Sequence, residues 1–244
     1  MLKAVIFDWA GTTVDFGCEA PPAVLKRIFA EVGVPLEPIE SRHAMGLLKK
    51  DQIRAICGLP RVSTAWREVH GAEPVERDVA RLFQSFIPMQ LECVEQYSDV
   101  IAGVPEVVAR LRAKGIGIGS TTGYTRAMLD LVVAKAARQG YAPDCHLTPD
   151  ETDGIGRPAP WMIFECLRRL NVYPPSHCVK VGDTPSDMEE GRNAGLKTIG
   201  VVKSGNEAAA HGEDEAARRL LHAGADILVA TAADLEPALD TLFR

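Results

Sequence analysis

Two hydrophobic periods alternate along this chain. Short apolar runs at residues 4–7, 116–120, 144–147, 177–181, 198–202 and 226–230 read as strands, most of them buried on both faces. Between them apolar residues recur every three or four positions, as in helices with one buried face. These stretches cover 104–114 and 125–139, a helix opening at Pro158 or Pro160 and running to about 170, then 186–194, 213–223 and 233–243. Gly115 and Gly195 stop two of them. Strands that alternate with helices predict a parallel sheet joined by right-handed crossovers.

The interval after the first strand differs. From Pro21 to about residue 98 helix follows helix, with no strand between them. One helix opens at Pro21-Pro22 and ends at Gly33; others are expected at 45–57, 62–70 and 75–97. The pattern therefore predicts an α/β protein: a Rossmann-like parallel sheet core from residues 1–16 and 100–244, with an all-helical cap domain inserted at 17–99.

Composition narrows the partners. The chain has 244 residues and 46% hydrophobic content, enough for one large core with a smaller companion. Its net charge of −6, with no basic run, argues against nucleic acid. Six cysteines lie scattered without metal-ligand spacing, as free thiols of a reducing compartment do. No stretch approaches the roughly 20 apolar residues of a membrane helix. The run at 4–7 is too short for a secretory signal. A cytoplasmic protein without a membrane partner is expected.

Candidate chemistry sits where strands end. Asp8 follows the first strand, ahead of the small residues Ala10-Gly11-Thr12-Thr13, whose backbone N–H groups can close around an anion. It is either a nucleophile aimed at phosphorus or a loop or cap aspartate. Thr121-Thr122-Gly123 ends the second strand, as a phosphate-binding hydroxyl with its glycine or as an ordinary turn. Arg157 stands before a helix, placed to hold an anionic oxygen or to form a surface ion pair. Asp183 and Asp187, four residues apart at a strand end and a helix start, can share one Mg²⁺ or serve as helix-start acids. In the helical block, Met45-Gly46-Leu47-Leu48-Lys49-Lys50 offers two lysines that composition does not tell apart. Exposed, either is a surface charge; buried, either becomes a nucleophilic amine.

Together these motifs resemble the haloacid dehalogenase superfamily of phosphotransfer hydrolases, over nearly the whole chain, and within it the phosphonatase family. The stretches that carry the resemblance are Phe7-Asp8-Trp9-Ala10-Gly11-Thr12-Thr13-Val14-Asp15, Met45-Gly46-Leu47-Leu48-Lys49, Gly119-Ser120-Thr121-Thr122-Gly123-Tyr124-Thr125-Arg126, Gly156-Arg157-Pro158 with Trp161, Val181-Gly182-Asp183-Thr184 with Ser186-Asp187-Met188, and Glu190-Gly191-Arg192-Asn193-Ala194-Gly195. Superfamily phosphatases usually carry a second aspartate two residues after the nucleophile; here that place is Ala10. The resemblance implies hydrolysis of the C–P bond of phosphonoacetaldehyde to acetaldehyde and phosphate. Asp8 is then the nucleophile and Lys49 the Schiff-base amine. Thr122 and Arg157 hold the phosphonyl group. Cys18, Met45, Gly46, Gly123 and Tyr124 surround the rest of the substrate. Asp8, Ala10 through its carbonyl, Asp183 and Asp187 form the Mg²⁺ site. A homodimer joined through the cap is also implied. The chain departs from the family at Gln52, where a histidine often stands three residues after the lysine.

Overall fold

Six strands form one parallel sheet, in the spatial order β3-β2-β1-β4-β5-β6. The strands are β1 (Ala4–Phe7), β2 (Gly117–Thr121), β3 (Cys145–Leu147), β4 (Cys178–Gly182), β5 (Lys197–Val201) and β6 (Ile227–Val229). The computed structural model describes residues 1–244. Four helices lie between β1 and the first crossover: α1 (Ala20–Glu31), α2 (Lys49–Cys57), α3 (Pro60–His70) and α4 (Glu76–Cys93). The crossovers use α5 (Val104–Ala113), α6 (Arg126–Arg138), α7 (Trp161–Arg169), α8 (Pro185–Asn193), α9 (Asn206–His211) and α10 (Glu213–Ala223), and α11 (Leu235–Leu242) closes the chain. This is the α/β class read from the hydrophobic pattern, a Rossmann-like core with an inserted helical block.

Strand alternation decides what each face of the sheet buries. Val5 and Phe7 face α5, α6 and α11; Ala4 and Ile6 face α7, where Met162, Ile163, Cys166 and Leu167 meet them. The first of these cores continues without a break into the helical insertion, through Ile28, Ile53, Ile56, Trp66, Leu82 and Phe86. A fully buried side chain of this size contributes about 1.5–3 kcal/mol, so a continuous core resists separation of the two parts. The two chain segments that join them are paired: Asp15 N–H donates to Asp99 O at 3.1 Å, and Ile101 N–H to Thr13 O at 2.9 Å.

Several boundaries differ from the sequence expectation. The helix expected over 45–57 begins only at Lys49, because Ala44 and Gly46 take left-handed backbone, at φ 53° and 89°, and turn the chain. The helix expected over 75–97 ends at Cys93. Helix α9 was not anticipated: its six residues are too few to display a period. The last helix is preceded by a single 3₁₀ turn, Ala232–Asp234.

The turn ahead of α2 is seated on the core. A Cβ at Gly46 would overlap the hydroxyls of Ser186 and Thr184, and one at Gly123 would overlap the carbonyl oxygen of Leu47. Glycine at both places lets the two backbones touch. Nearby, Arg42 from the helical block donates from Nη1 to Gly17 O at 2.7 Å and to the side-chain oxygen of Asn206 at 3.3 Å, while its Nη2 pairs with Glu19. Gly46→Ala adds both overlap and a left-handed alanine, a strain of about 1–3 kcal/mol. The expected result is a melting temperature lower by about 2–10 °C in calorimetry; an unchanged value would mean that the turn is not held against the core.

Candidate active site

The carboxyl ends of β1, β2 and β4 converge where the strand order reverses, which is where open α/β sheets bind ligands. Asp8 follows β1, Thr121 ends β2 with Thr122 after it, and Asp183 follows β4. Asp187 lies in the first turn of α8 and reaches back, accepting from Thr184 N–H at 3.2 Å and from the Thr184 hydroxyl at 2.6 Å. One oxygen each of Asp8, Asp183 and Asp187 lies within 4.8 Å of the others, and all three residues are buried.

Arg157 ties this group together. It is 4% exposed. Its Nη2 donates to Asp8 Oδ1 at 2.7 Å, its Nε to Glu190 Oε2 at 3.0 Å, and its Nη1 lies 2.9 Å from Asp187 Oδ1. A second buried cation, Lys180, lies 3.1 Å from Asp187 Oδ1 and 3.0 Å from Glu190 Oε2, and donates to the Thr121 hydroxyl at 2.7 Å. Asp183 stands apart from both cations, accepting from the Thr12 hydroxyl at 2.8 Å and from Asn206 N–H at 2.7 Å.

Burial drives the carboxyls of Asp8 and Asp183 above their ordinary range; Asp8 is pulled back by Arg157, whereas Asp183 is raised further by Asp8 and Asp187. Burial opposes the charge of Asp187 too, but Arg157 and Lys180 outweigh it and hold that carboxyl low. Four carboxylates thus face two cations out of water. Hard oxygen donors with negative charge in excess fit a small divalent cation.

The other wall comes from the helical insertion. Lys49 is 3% exposed; its Nζ donates to Gln52 Oε1 at 2.9 Å, lies 3.5 Å from Met45 Sδ and stands 5.7 Å from the centre of the Tyr124 ring. Burial lowers Lys49 to about 8, against the opposing pull of Cys18 and Asp8. Burial also pushes the Cys18 thiol and the Tyr124 hydroxyl up. Lys50 leaves this wall altogether and pairs with Glu76 at 3.0 Å on the surface.

Between the two walls lies a cavity of about 20 Å³, room for roughly one water. Asp8, Ala10, Cys18, Met45, Gly46, Lys49, Thr122, Gly123, Tyr124 and Arg157 all line it, joined by Pro21 and Thr184, which the sequence reading had not singled out. Asp183 and Asp187 stand behind Asp8 rather than on the cavity wall. Thr12 and Glu190 lie in stretches that carry the resemblance but have no side-chain role assigned from sequence, and Lys180 is not among the sequence candidates. Lys180 carried a signal, a lysine inside an otherwise apolar strand.

Comparison with known proteins gives concordant matches. Residues 2–195 match the family model for haloacid dehalogenase-like hydrolases. The phosphonoacetaldehyde hydrolases of Bacillus cytotoxicus and of Bacillus cereus strain G9842 are each 50% identical over 206 residues, covering 84% of this chain and 78% of theirs. The crystal structure of a phosphonoacetaldehyde hydrolase-like protein from Oleispira antarctica superposes with a TM-score of 0.94 at 36% identity, covering 99% of this chain and 92% of that one.

Lys180→Met tests the buried charge group independently of any activity. It leaves Asp187 and Glu190 short of a cation, and removing one partner of a buried pair costs about 3–5 kcal/mol. Urea unfolding is expected to show a loss of that size, with the slope unchanged. A variant as stable as the parent would mean that Lys180 carries no compensating role.

Proposed function

Because the chain belongs to the haloacid dehalogenase-like hydrolases, and among them to the phosphonoacetaldehyde hydrolases, we propose that it hydrolyses the C–P bond of phosphonoacetaldehyde to acetaldehyde and phosphate. The observation that carries this reading is the cavity itself: one small space walled by the Asp8 carboxylate, the buried Lys49 amine and the methyl group of Ala10. C–P cleavage leaves an electron pair on carbon, which a proton donor to oxygen does not help. An amine that turns the neighbouring aldehyde into an iminium does help.

The neutral Lys49 amine condenses with the aldehyde, releasing water, and the resulting imine takes up one proton from solvent to become the iminium. An oxygen of Asp8 attacks phosphorus, the C–P bond breaks, and its electron pair moves into the iminium to give an enamine and an acyl phosphate on Asp8. The enamine takes a proton on its terminal carbon, and water then frees acetaldehyde and restores Lys49. A second water cleaves the acyl phosphate to phosphate and restores Asp8.

Around these steps, Arg157 holds Asp8 in line and faces the phosphonyl oxygens. The Thr122 hydroxyl, which accepts from Tyr124 N–H at 3.2 Å, has its own O–H to donate to them. Cys18, Met45, Gly46, Gly123 and Tyr124 enclose the aldehyde end. Asp8, the carbonyl of Ala10 and Asp183 would hold Mg²⁺, with Asp187 beside them, and the ion would supply charge neutralisation between the carboxylate and the substrate's oxygens.

Three measurements test the reading. Sodium borohydride added with phosphonoacetaldehyde is expected to trap an adduct that mass spectrometry maps to Lys49 and not Lys50; phosphate release without an adduct would leave an ordinary phosphatase mechanism in its place. Asp8→Asn is expected to keep the fold and lose turnover by several orders of magnitude, roughly the cost of removing a nucleophile; near-normal turnover would overturn the assignment. The pH profile gives the third. Only the neutral amine condenses, and a group at about 8 is roughly one-tenth neutral at pH 7. Where imine formation limits the rate, kcat/KM is expected to rise with pH and level off above about pH 8.

A further inference from the structure

Gln52 is fully buried, one turn along α2 from Lys49 and on the same face. Its side chain bridges two parts of the wall. Oε1 accepts from Lys49 Nζ at 2.9 Å, and Nε2 donates to His43 O at 3.1 Å. Turning the amide over would set its NH₂ against the lysine and its oxygen against the His43 carbonyl, losing two hydrogen bonds in a dry setting. The orientation is therefore fixed by the backbone, and the oxygen faces the amine.

The surroundings make that oxygen the main acceptor Lys49 has. Met45 Sδ, at 3.5 Å, is a weak one. The Tyr124 ring presents a π face. Cys18 ahead of α1, Asp8 after β1, Asp183 after β4 and Arg157 ahead of α7 act on Lys49 through charge. None of the carboxylates comes within ion-pairing distance; the acidic partners of Arg157 and Lys180 lie on the other wall.

We propose that Gln52 is the positioning residue for Lys49, holding first the amine and then the iminium N–H on a neutral acceptor that takes no proton. This rests on the Schiff-base reading above. A carboxylate in the same place would favour the charged amine and delay condensation. A titratable base in the same place could also exchange a proton with the nitrogen. An amide oxygen does neither: it fixes direction and leaves the protonation of the nitrogen alone. Pinned at its far end by His43, it also holds the amine at one point of a cavity with no room to spare.

Two full-length variants decide the matter, with circular dichroism as the folding control. Gln52→Glu keeps the acceptor and adds charge. It is expected to shift the rising limb of kcat/KM to higher pH by about one unit or more, so that activity drops about tenfold near pH 7 and recovers near pH 10. Gln52→Met removes the acceptor at similar volume; kcat is expected to fall about ten- to a hundredfold with KM nearly unchanged, and borohydride trapping to slow in step. A purely structural glutamine would lower the melting temperature of both variants and leave the pH limb where it was, which overturns the proposal. If both variants trap an adduct on Lys49 at the parent's rate and pH, the Gln52 inference alone fails. If the parent itself traps none while releasing phosphate, the Schiff-base reading fails and takes the inference with it.

Discussion

Charge held out of water is the constraint on which the rest of this structure depends. Asp8, Asp183, Asp187 and Glu190 are buried at one end of the sheet with only Arg157 and Lys180 to answer them. An uncompensated buried charge costs several kcal/mol. Asp183, Asp187 and Glu190 are each held by more than one neighbour and Asp8 by Arg157, and the loops that carry them are fixed with them. Arg157 binds the ends of β1, β2 and α8 in one contact set, because its planar guanidinium can serve several oxygens at once. Asp183 is the exception. It has hydrogen-bond donors but no cation of its own, which makes it the natural anchor for the proposed Mg²⁺.

The two walls of the cavity are electrostatic opposites. The sheet wall is crowded with charge, acids outnumbering cations, and would receive a phosphonyl anion only through Arg157 and the proposed Mg²⁺. The helical wall is apolar apart from Lys49 and the amide that holds it. The difference follows from where each wall comes from. Strand ends gather polar loops, whereas α2 turns a face of Ile53, Ile56 and Cys57 inward and carries Lys49 and Gln52 along that face. Desolvation that would be costly on the sheet wall is useful on the helical one, since it lowers Lys49 toward neutrality.

The sheet and the strand-end residues were legible because buried parallel strands are short apolar runs, and the next polar residue is then at the carboxyl edge. Asp8 and Asp183 follow directly from that rule; after β2 the rule reaches only the pair Thr121-Thr122, and Thr122 was implied by the family resemblance. The choice between Lys49 and Lys50 was open in composition and needed α2's starting point, since a shift of about 100° between neighbours sends one lysine inward and the other to Glu76. That starting point was misread, because the left-handed backbone of Ala44 and Gly46 leaves no periodic mark. Glu189 and Glu190 pose the same problem on α8, where only the second turns inward to meet Arg157 and Lys180. Arg42's bridge from the helical block to Asn206 joins residues remote in sequence, and no local pattern announces it.

Ala10 connects the charge constraint to the proposed chemistry. It lines the cavity beside Asp8, at the place where ester-cleaving members of the superfamily carry a second aspartate as proton donor. A carboxylate there would add a fifth acid to a group already short of positive charge, raising Asp8 further and weakening it as a nucleophile at neutral pH. In an ester hydrolase that cost is offset, because the leaving oxygen needs the proton. In the proposed mechanism carbon is the leaving atom, so the acid would have nothing to protonate at the moment of cleavage, and the electron pair would go instead to an iminium on Lys49. A methyl group at this position is then favoured twice over: it relieves repulsion at the nucleophile, and it leaves room between Asp8 and Lys49 for the reacting groups.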